Sequence, residues 1–169
     1  IRAVKDVSNT PRIMIHLDTG GWTSFTEKWM HTFFMLNGTT DILGLSWYPM
    51  WHGTMDDLRD NINNLEKKFP NLDVWVVETA YYWSGSCSNK DVGCKQMFPF
   101  PMTEQGQFDF LQALRKTLLS TSCKAVFYWG SHWTQPEKWF IADESWEDAE
   151  RRSLFDRTGR VLKGMAGLH

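Results

Sequence analysis

The sequence predicts an α/β fold with a parallel sheet, and three observations support this prediction. Short apolar runs alternate along the chain with segments in which apolar residues recur at helical spacing. The segments between the runs are long enough for helical crossovers, which parallel strands require. With 169 residues, of which 42% are hydrophobic and 22% charged, the chain is long enough to form a buried core. Right-handed crossovers should therefore join neighbouring strands.

The first two strand and helix units follow one another directly. Residues 12–17 (RIMIHL) form a mostly apolar run, as buried parallel strands do, and DILGLSWYP predicts the second strand. Thr54 is the expected N-cap of the second helix. The apolar residues of the first helix are Trp22, Phe25, Trp29 and Phe33, and those of the second are Met55, Leu58, Ile62, Leu65 and Phe69.

Two further units complete the pattern. DVWVVE predicts the third strand, and after a long loop Thr103 is the expected cap of a helix with Phe108, Leu111, Leu114 and Leu118 on its apolar face. Residues 124–129 (KAVFYW) predict the fourth strand. A Trp-rich loop then leads to LFDRTGRVL, which predicts a short hairpin around Thr158 and Gly159 followed by a last helical turn.

Two architectures fit this alternation, a doubly wound sheet and a (β/α) barrel. No GxGxxG or GxxxxGK[ST] motif follows any predicted strand, which argues against a nucleotide-binding doubly wound sheet. Polar and aromatic residues gather instead after the strands, where a (β/α)8 barrel builds its active site. These residues are His16, Asp18, Trp47, Tyr48, Glu78, Tyr81, Trp129 and His132.

The number of units is half of what a barrel needs. An eight-unit TIM barrel takes about 250 residues, whereas this chain shows four predicted strands. Four parallel strands alone would leave two long unpaired edges and one uncovered apolar face, which proteins avoid. We therefore expect residues 1–169 to be the C-terminal half of a single (β/α)8 domain whose N-terminal half is absent from this chain.

Composition excludes some partners. The net charge of −2 is spread without long single-sign runs, so neither nucleic acid nor anionic membrane is an expected partner. The aromatic content of 15% fits either a Trp-rich core or a sugar-binding cleft. Cys87 and Cys94 lie close enough for a disulfide, and Asn37-Gly38-Thr39 is an N-glycosylation sequon. Both favour secretion, with a signal peptide expected upstream of this chain; Cys123 is left as a buried free thiol or the partner of an outside cysteine.

Four ordered motifs resemble the family 53 endo-β-1,4-galactanases. They are IMIHLDTGGW, DILGLSWYPMWHGTMDDLRDNINNL, DVWVVETAYYW and AVFYWGSHW, and together they span nearly the whole chain. The resemblance implies a (β/α)8 TIM barrel in which this chain begins in the helix after the fourth strand and supplies strands 5–8 with their helices. It agrees with the half-barrel count.

The resemblance also implies a retaining mechanism, which needs two carboxyl groups about 5 to 5.5 Å apart. Glu78 matches the family's nucleophile, and the acid/base glutamate is expected upstream of Ile1. The alternative for Glu78 is a glutamate at a strand end that pairs with a surface base. Tyr48 resembles the tyrosine that donates a hydrogen bond to the nucleophile, and Trp129 the tryptophan platform under the sugar.

The remaining candidates keep two interpretations each. His16 matches a cleft residue that hydrogen-bonds a sugar hydroxyl or the acid/base, but it also fits a structural histidine. Asp18 binds a hydroxyl or caps the next helix. Trp47, Tyr81 and His132 complete the expected substrate-binding set. Outlying platforms or loop-packing residues are Trp51, Trp83, Trp133 and Trp139.

The expected activity is endo-hydrolysis of β-1,4-galactan (arabinogalactan) by double displacement through Glu78. One alternative is a non-catalytic carbohydrate-binding or structural descendant, because Gly130-Ser131 replaces the Glu-Pro that often follows the strand-eight tryptophan of the family. Another is a hydrolase of a different β-linked polysaccharide. No cofactor or metal is expected, since Asn89 and Asp91 fall short of the six to eight oxygens that calcium takes.

Overall fold

The computed structural model of the chain describes residues 1–8, 10–85, 98–134 and 151–168. Its sheet has four parallel strands in the order β1-β2-β3-β4: β1 (Met14–Leu17), β2 (Ile42–Ser46), β3 (Asp73–Thr79) and β4 (Val126–Tyr128). The helices of the described residues are α1 (Arg2–Val7), α2 (Thr23–Met35), α3 (Met55–Lys68), α4 (Glu104–Leu119) and a 3₁₀ helix (Lys163–Leu168).

The strand order confirms the α/β fold and separates the two architectures. Each strand pairs in parallel with the strand that follows it in the chain. A doubly wound sheet reverses its strand order at a switch point, whereas a barrel keeps sequence order. Sequential order over four strands is therefore that of a partial (β/α)8 barrel, as the sequence predicts.

The core lies between one face of the sheet and helices α3 and α4. Leu58, Ile62 and Leu65 of α3 are completely buried. The N-cap predictions are confirmed: the Thr54 hydroxyl accepts from the Asp57 N–H in a capping box, and the Thr103 hydroxyl accepts from the Gly106 N–H. Such caps satisfy helix N–H groups that have no partner within the helix.

The predicted apolar face of α2 is correct for Trp29 and Phe33, which pack against the core, and wrong for its first two residues. Trp22 and Phe25 are 47% and 55% exposed, whereas Thr26 and Met30 are completely buried. The cause is a polar contact, because the Thr26 hydroxyl bonds the Thr19 hydroxyl at 2.7 Å and thus holds this side of the helix inward. Successive helical residues are about 100° apart, so turning Thr26 inward turns Phe25 outward.

The α4 face also needs one correction. Phe110 is completely buried, whereas the predicted Phe108 is only partly buried. Phe110 stacks between the rings of Trp47 and Tyr81, with centroid distances of 6.0 and 4.3 Å. The other predicted residues of this face, Leu111, Leu114 and Leu118, are buried.

The second face of the sheet, here called the open face, is exposed at its two edge strands, whereas Ile42 and Ser46 of β2 on the same face are buried. Met14 of β1 is 38% exposed and Phe127 of β4 is 50% exposed. The expected uncovered apolar face is therefore present at the edge strands. The two edge strands are short, with four residues in β1 and three in β4, so the expectation of long edges is wrong. Short edges offer few unpaired backbone groups to another chain.

The predicted C-terminal hairpin is present. Phe155 and Val161 form an antiparallel bridge, and the Asp156 carboxylate accepts from the N–H groups of Thr158 and Arg160. The 3₁₀ helix that follows packs against α4. Among the described residues, no helix has the length and apolar character needed to cross a membrane.

We expect Asn61→Ala to lower the free energy of unfolding by about 2–3 kcal/mol, measured by urea denaturation of the intact protein. The buried Asn61 amide donates to the carbonyls of Thr19 and Gly20 at 3.2 and 2.8 Å, and its removal leaves both without this donor. Asn63→Ala on the same helix is the matched control, because Asn63 is only half-buried. Equal losses in the two variants would contradict the assigned role of the amide.

Candidate active site

Three side chains from three strands converge at the carboxyl edge of the sheet. Glu78 lies near the end of β3 with 24% of its side chain exposed. The Tyr48 hydroxyl, just beyond β2, donates to Glu78 Oε2 at 3.2 Å. His16 Nε2, on β1, lies 3.9 Å from Glu78 Oε1. The sequence predicted all three as site residues, and the structure brings them together.

An irregularity in β3 lies next to Glu78. Leu45 pairs with Val76, but the next residue of β2, Ser46, pairs with Glu78, so β3 holds one extra residue at this point. The same excess relative to β4 separates the pairs Val76–Val126 and Thr79–Tyr128. The irregularity therefore belongs to β3 itself and has the character of a β-bulge.

This bulge accounts for the direction of Glu78. In a regular strand side chains alternate, and Glu78 would share the helix-covered face with the buried Val74 and Val76. The extra residue shifts the alternation by one position, so Glu78 reaches the open face together with His16 and Tyr48. A carboxylate without this shift would be buried against helices.

His16 is held from one side by a hydroxyl. Its Nε2 lies 2.7 Å from Ser46 Oγ, and both residues are on the open face of neighbouring strands. The same nitrogen therefore faces both the serine hydroxyl and, at 3.9 Å, the Glu78 carboxylate. Which atom donates depends on the tautomer of His16.

The Tyr48 phenol is a constant hydrogen-bond donor. Its side chain is almost completely buried. Burial raises the pKa of Tyr48 above the ordinary tyrosine value, and the negative charge of Glu78 raises it further. The phenol therefore stays protonated across the physiological range and donates to the carboxylate.

The sequence interpretation missed His52. Its Nδ1 accepts a hydrogen bond from the Tyr48 backbone N–H at 3.1 Å, and only 7% of the residue is exposed. Burial lowers the pKa of this imidazole, while the charges of Asp18 and Glu78 act in the opposite direction. The available signal was a histidine four residues after Tyr48 in the motif SWYPMWH.

Two predicted substrate-binding residues are corrected. Trp47 and Tyr81 are both completely buried, on the helix-covered face, and stack on Phe110. The Tyr81 hydroxyl donates to the Phe100 carbonyl at 2.5 Å. A ring without exposed surface cannot stack on a sugar, so both belong to the core. The sequence correctly places Trp47 and Tyr81 after the carboxyl ends of their strands. It does not predict which face of the sheet their side chains occupy.

Other predicted residues remain accessible at the same edge. Trp129, directly after β4, is 43% exposed and meets Trp133 in a T-shaped contact at 5.4 Å. Asp18 and His132 are exposed in loops that follow β1 and β4. Trp51 is 53% exposed, and its ring lies under the guanidinium group of Arg152 at 5.6 Å.

Several sequence hypotheses lie outside the described residues. They concern the Cys87 and Cys94 pair, the oxygens of Asn89 and Asp91, and the ring of Trp139. Cys123 is a half-buried thiol that lies 3.3 Å from the Ala125 carbonyl. Within the described ranges, no group of three or more His, Cys, Asp or Glu residues is arranged to hold a metal ion.

A buried hydrogen-bond network around Tyr128 supports the carboxyl edge of the sheet near β4. The Tyr128 hydroxyl accepts from the N–H groups of Tyr81 and the Gln107 amide at 3.1 Å each, and lies 2.6 Å from the Arg152 carbonyl, to which it donates. Gln107 also donates to the Ser153 carbonyl at 3.0 Å. The network joins β4, the loop after β3, α4 and the C-terminal segment.

Comparisons with known proteins point to one family. The family model described as glycosyl hydrolase family 53 matches residues 1–168. An arabinogalactan endo-β-1,4-galactanase of Humicola insolens is 33% identical over 182 residues, covering 98% of this chain and 50% of that protein. An uncharacterized protein of Niallia circulans is 32% identical over 179 residues, covering 99% of this chain and 48% of its own length.

A solved structure supports the same relationship. The family 53 catalytic domain of Ignisphaera aggregans has a TM-score of 0.85 and 28% identity to this chain, covering 99% of it and 49% of the solved domain. The chain thus spans about half the length of the relatives it matches. The part of the solved domain that matches this chain is therefore about half of that domain.

We expect Tyr128→Phe to lower the free energy of unfolding by about 2–3 kcal/mol in urea denaturation, because the Tyr81 N–H and the Arg152 carbonyl lose their shared hydroxyl. Tyr48→Phe is the matched control: it removes one hydroxyl beside a carboxylate that water reaches, so the expected loss is about 1 kcal/mol or less. A smaller loss for Tyr128→Phe than for Tyr48→Phe would contradict the assigned network.

Proposed function

Because the chain belongs to glycosyl hydrolase family 53, we propose that the protein containing it is a retaining, endo-acting hydrolase of β-1,4-galactan with Glu78 as its nucleophile. The observation that carries the proposal is the open-face position of Glu78, whose carboxylate accepts from the Tyr48 phenol. The substrate class follows from the Humicola insolens relative, which is named an arabinogalactan endo-β-1,4-galactanase.

The two oxygens of Glu78 have different surroundings, which suggests separate roles. Oε2 is held by the Tyr48 hydroxyl at 3.2 Å, whereas His16 Nε2 lies 3.9 Å from Oε1. Oε1 is therefore the atom that attacks the anomeric carbon. The hydrogen bond from Tyr48 fixes the plane of the carboxylate for attack.

The reaction proceeds in two displacements. Glu78 Oε1 bonds to the anomeric carbon while the glycosidic oxygen leaves and takes a proton from a second carboxylic acid. A water molecule then attacks the same carbon, gives its proton to that second carboxylate, and the ester bond to Glu78 breaks. The second carboxyl group is expected on the first half of the barrel, so residues 1–169 alone are expected to be inactive.

The accessible residues of the edge form the proposed substrate cleft. The exposed face of Trp129 suits the apolar face of a galactose ring, and the polar groups of Asp18, His16 and His132 suit its hydroxyls. Trp51 and Trp133 are candidates for outer platforms. The substrate is therefore bound across several loops at the carboxyl edge.

The open face supports a first half-barrel as the proposed partner. The exposed apolar side chains of Met14 and Phe127 need cover, and four further strands of a first half-barrel provide it. The two halves together form a single (β/α)8 catalytic domain. An extracellular location fits a polymer substrate that is too large to enter a cell, and the exposed Asn37 of the sequon is compatible with secretion.

We expect Glu78→Gln in the intact protein to lower turnover of β-1,4-galactan by at least about 10⁴-fold, since the amide is a poor nucleophile of nearly the same shape. Reducing-end release measures turnover, and calorimetric titration with galactan oligosaccharides should show binding largely unchanged. For the unaltered protein, proton NMR of the first product should show retained anomeric configuration.

Glu66→Gln, a change at an exposed glutamate of α3, is the control and should leave turnover unchanged. Near-normal activity of Glu78→Gln would refute the nucleophile assignment. If the unaltered intact protein binds galactan oligosaccharides without hydrolysing them, the carbohydrate-binding alternative holds instead. Hydrolysis of another β-linked polysaccharide, with galactan untouched, would transfer the same mechanism to that substrate.

A further inference from the structure

The Tyr48 backbone is held by a turn that closes on His52. Trp47 directly follows β2, and its N–H donates to the Glu78 carbonyl at 2.9 Å. The next N–H, that of Tyr48, donates to His52 Nδ1 at 3.1 Å instead of to a backbone carbonyl of the sheet. The Tyr48 carbonyl accepts from the N–H groups of Trp51 and His52 at 3.0 and 2.8 Å.

Both backbone polar groups of Tyr48 are therefore fixed by residues 51 and 52. The phenol of the same residue is the donor to Glu78, so the turn and the carboxylate hold opposite ends of one residue. A shift of the turn would displace the phenol. The imidazole is the only side chain among these contacts, since the other two partners are backbone N–H groups.

The imidazole has little freedom to move. The residue is 7% exposed, and its ring meets those of Trp22, Tyr48 and Trp51 at centroid distances of 5.6, 5.8 and 6.4 Å. The loop after β1 also lies directly on the turn: a Cβ atom on Gly21 would come within 1.7 Å of the His52 carbonyl oxygen. Close packing from two sides holds Nδ1 under the Tyr48 N–H.

Nδ1 accepts this hydrogen bond only while it carries no proton. The surrounding groups favour that state, because burial is the largest influence and holds the pKa of His52 below its ordinary value of 6.5. Asp18 and Glu78 are the acidic groups that oppose it. Among the described residues, two other charged groups lie near this turn: Arg152, on the Trp51 ring, and Asp57, whose carboxylate accepts from the N–H and hydroxyl of the Thr54 cap.

We propose that His52 is a positioning residue of this active site, whose neutral imidazole holds the Tyr48 backbone so that the phenol stays on Glu78 Oε2. The inference rests on the proposed function of Glu78 and deepens it. His52 touches neither Glu78 nor the reacting atoms in this arrangement. Its effect passes through Tyr48, and protonation of Nδ1 removes it.

Two substitutions separate hydrogen bonding from packing in the intact protein. His52→Leu fills similar space but has no acceptor. In His52→Asn, Oδ1 is separated from Cα by the same number of bonds as Nδ1 of the histidine. This oxygen accepts a hydrogen bond and does not titrate. With β-1,4-galactan as substrate, we expect His52→Leu to lower kcat up to about 100-fold with KM within about twofold. His52→Asn should regain most of kcat.

A double mutant tests whether the effect passes through the phenol. In a Tyr48→Phe background the phenol is absent, so His52→Leu should lower kcat by no more than about twofold further. A full additional loss in that background overturns the proposal. So does a His52→Asn variant that is as slow as His52→Leu, or a loss in His52→Leu that appears in KM alone.

The pH profile gives a second test that does not depend on His52→Leu folding. In the unaltered protein the neutral imidazole is the active form, so kcat should fall as pH drops below 6.5 and through the lowered pKa of His52. His52→Asn lacks this titration, and its acid limb should move to lower pH. Superimposable acid limbs in the two proteins overturn the proposal.

Activity of the Glu78 and His52 variants distinguishes a wrong nucleophile from a wrong positioning residue. If Glu78→Gln keeps its activity, the proposed function is wrong and the proposal on His52 falls with it. If Glu78→Gln is inactive while the His52 variants behave like the unaltered protein, only the positioning role is wrong.

Discussion

The extra residue that β3 carries relative to both neighbouring strands is the constraint on which the site depends. Strict alternation would send Glu78 to the same face as Val74 and Val76, among the buried apolar residues. A carboxylate there would lose its hydration without gaining a partner, at a cost of several kcal/mol. The bulge directs it instead to the face where Tyr48 donates to it and His16 lies beside it. Strand order brings the three residues to one edge, and the bulge brings them to one face.

The sequence predicts the features that local physics determines. Alternating apolar runs gave the strand order, and the cap at Thr54 follows from local hydrogen bonding, so both were confirmed. The face of a side chain was harder to predict. Thr26 replaced an aromatic ring at the core because of a contact with a residue seven positions away, and Trp47 and Tyr81 turned inward. Strand register and the hydrogen bond to His52 depend on packing between segments, which a one-dimensional pattern does not contain.

Buried polar groups stiffen both ends of the edge on which the site lies. The Asn61 amide donates to the Thr19 carbonyl beneath the loop after β1, and the Tyr128 hydroxyl joins three segments beneath the loop after β3. The Gln107 amide has one orientation that fits, because the reverse would place its oxygen against the Tyr81 carbonyl. Buried polar groups of this kind are costly when unpaired, so native pairing selects one loop arrangement over others. The loops around the candidate site are thereby held by contacts that tolerate little displacement.

The open face of the sheet has an apolar layer below and a polar and aromatic layer above. This order explains why we expect folding and activity to depend on the same contact with a first half-barrel. Met14 and Phe127 lie two residues before His16 and Trp129 on the edge strands, so an apolar layer lies below a polar and aromatic layer. The lower layer needs contact with other strands to leave water. The strands that cover it would end beside Glu78, where a retaining mechanism requires the second carboxyl group within about 5 to 5.5 Å. In the proposed retaining hydrolase, the strands that bury the apolar layer would also bring the second carboxyl group to Glu78, so one packing contact would serve both folding and activity.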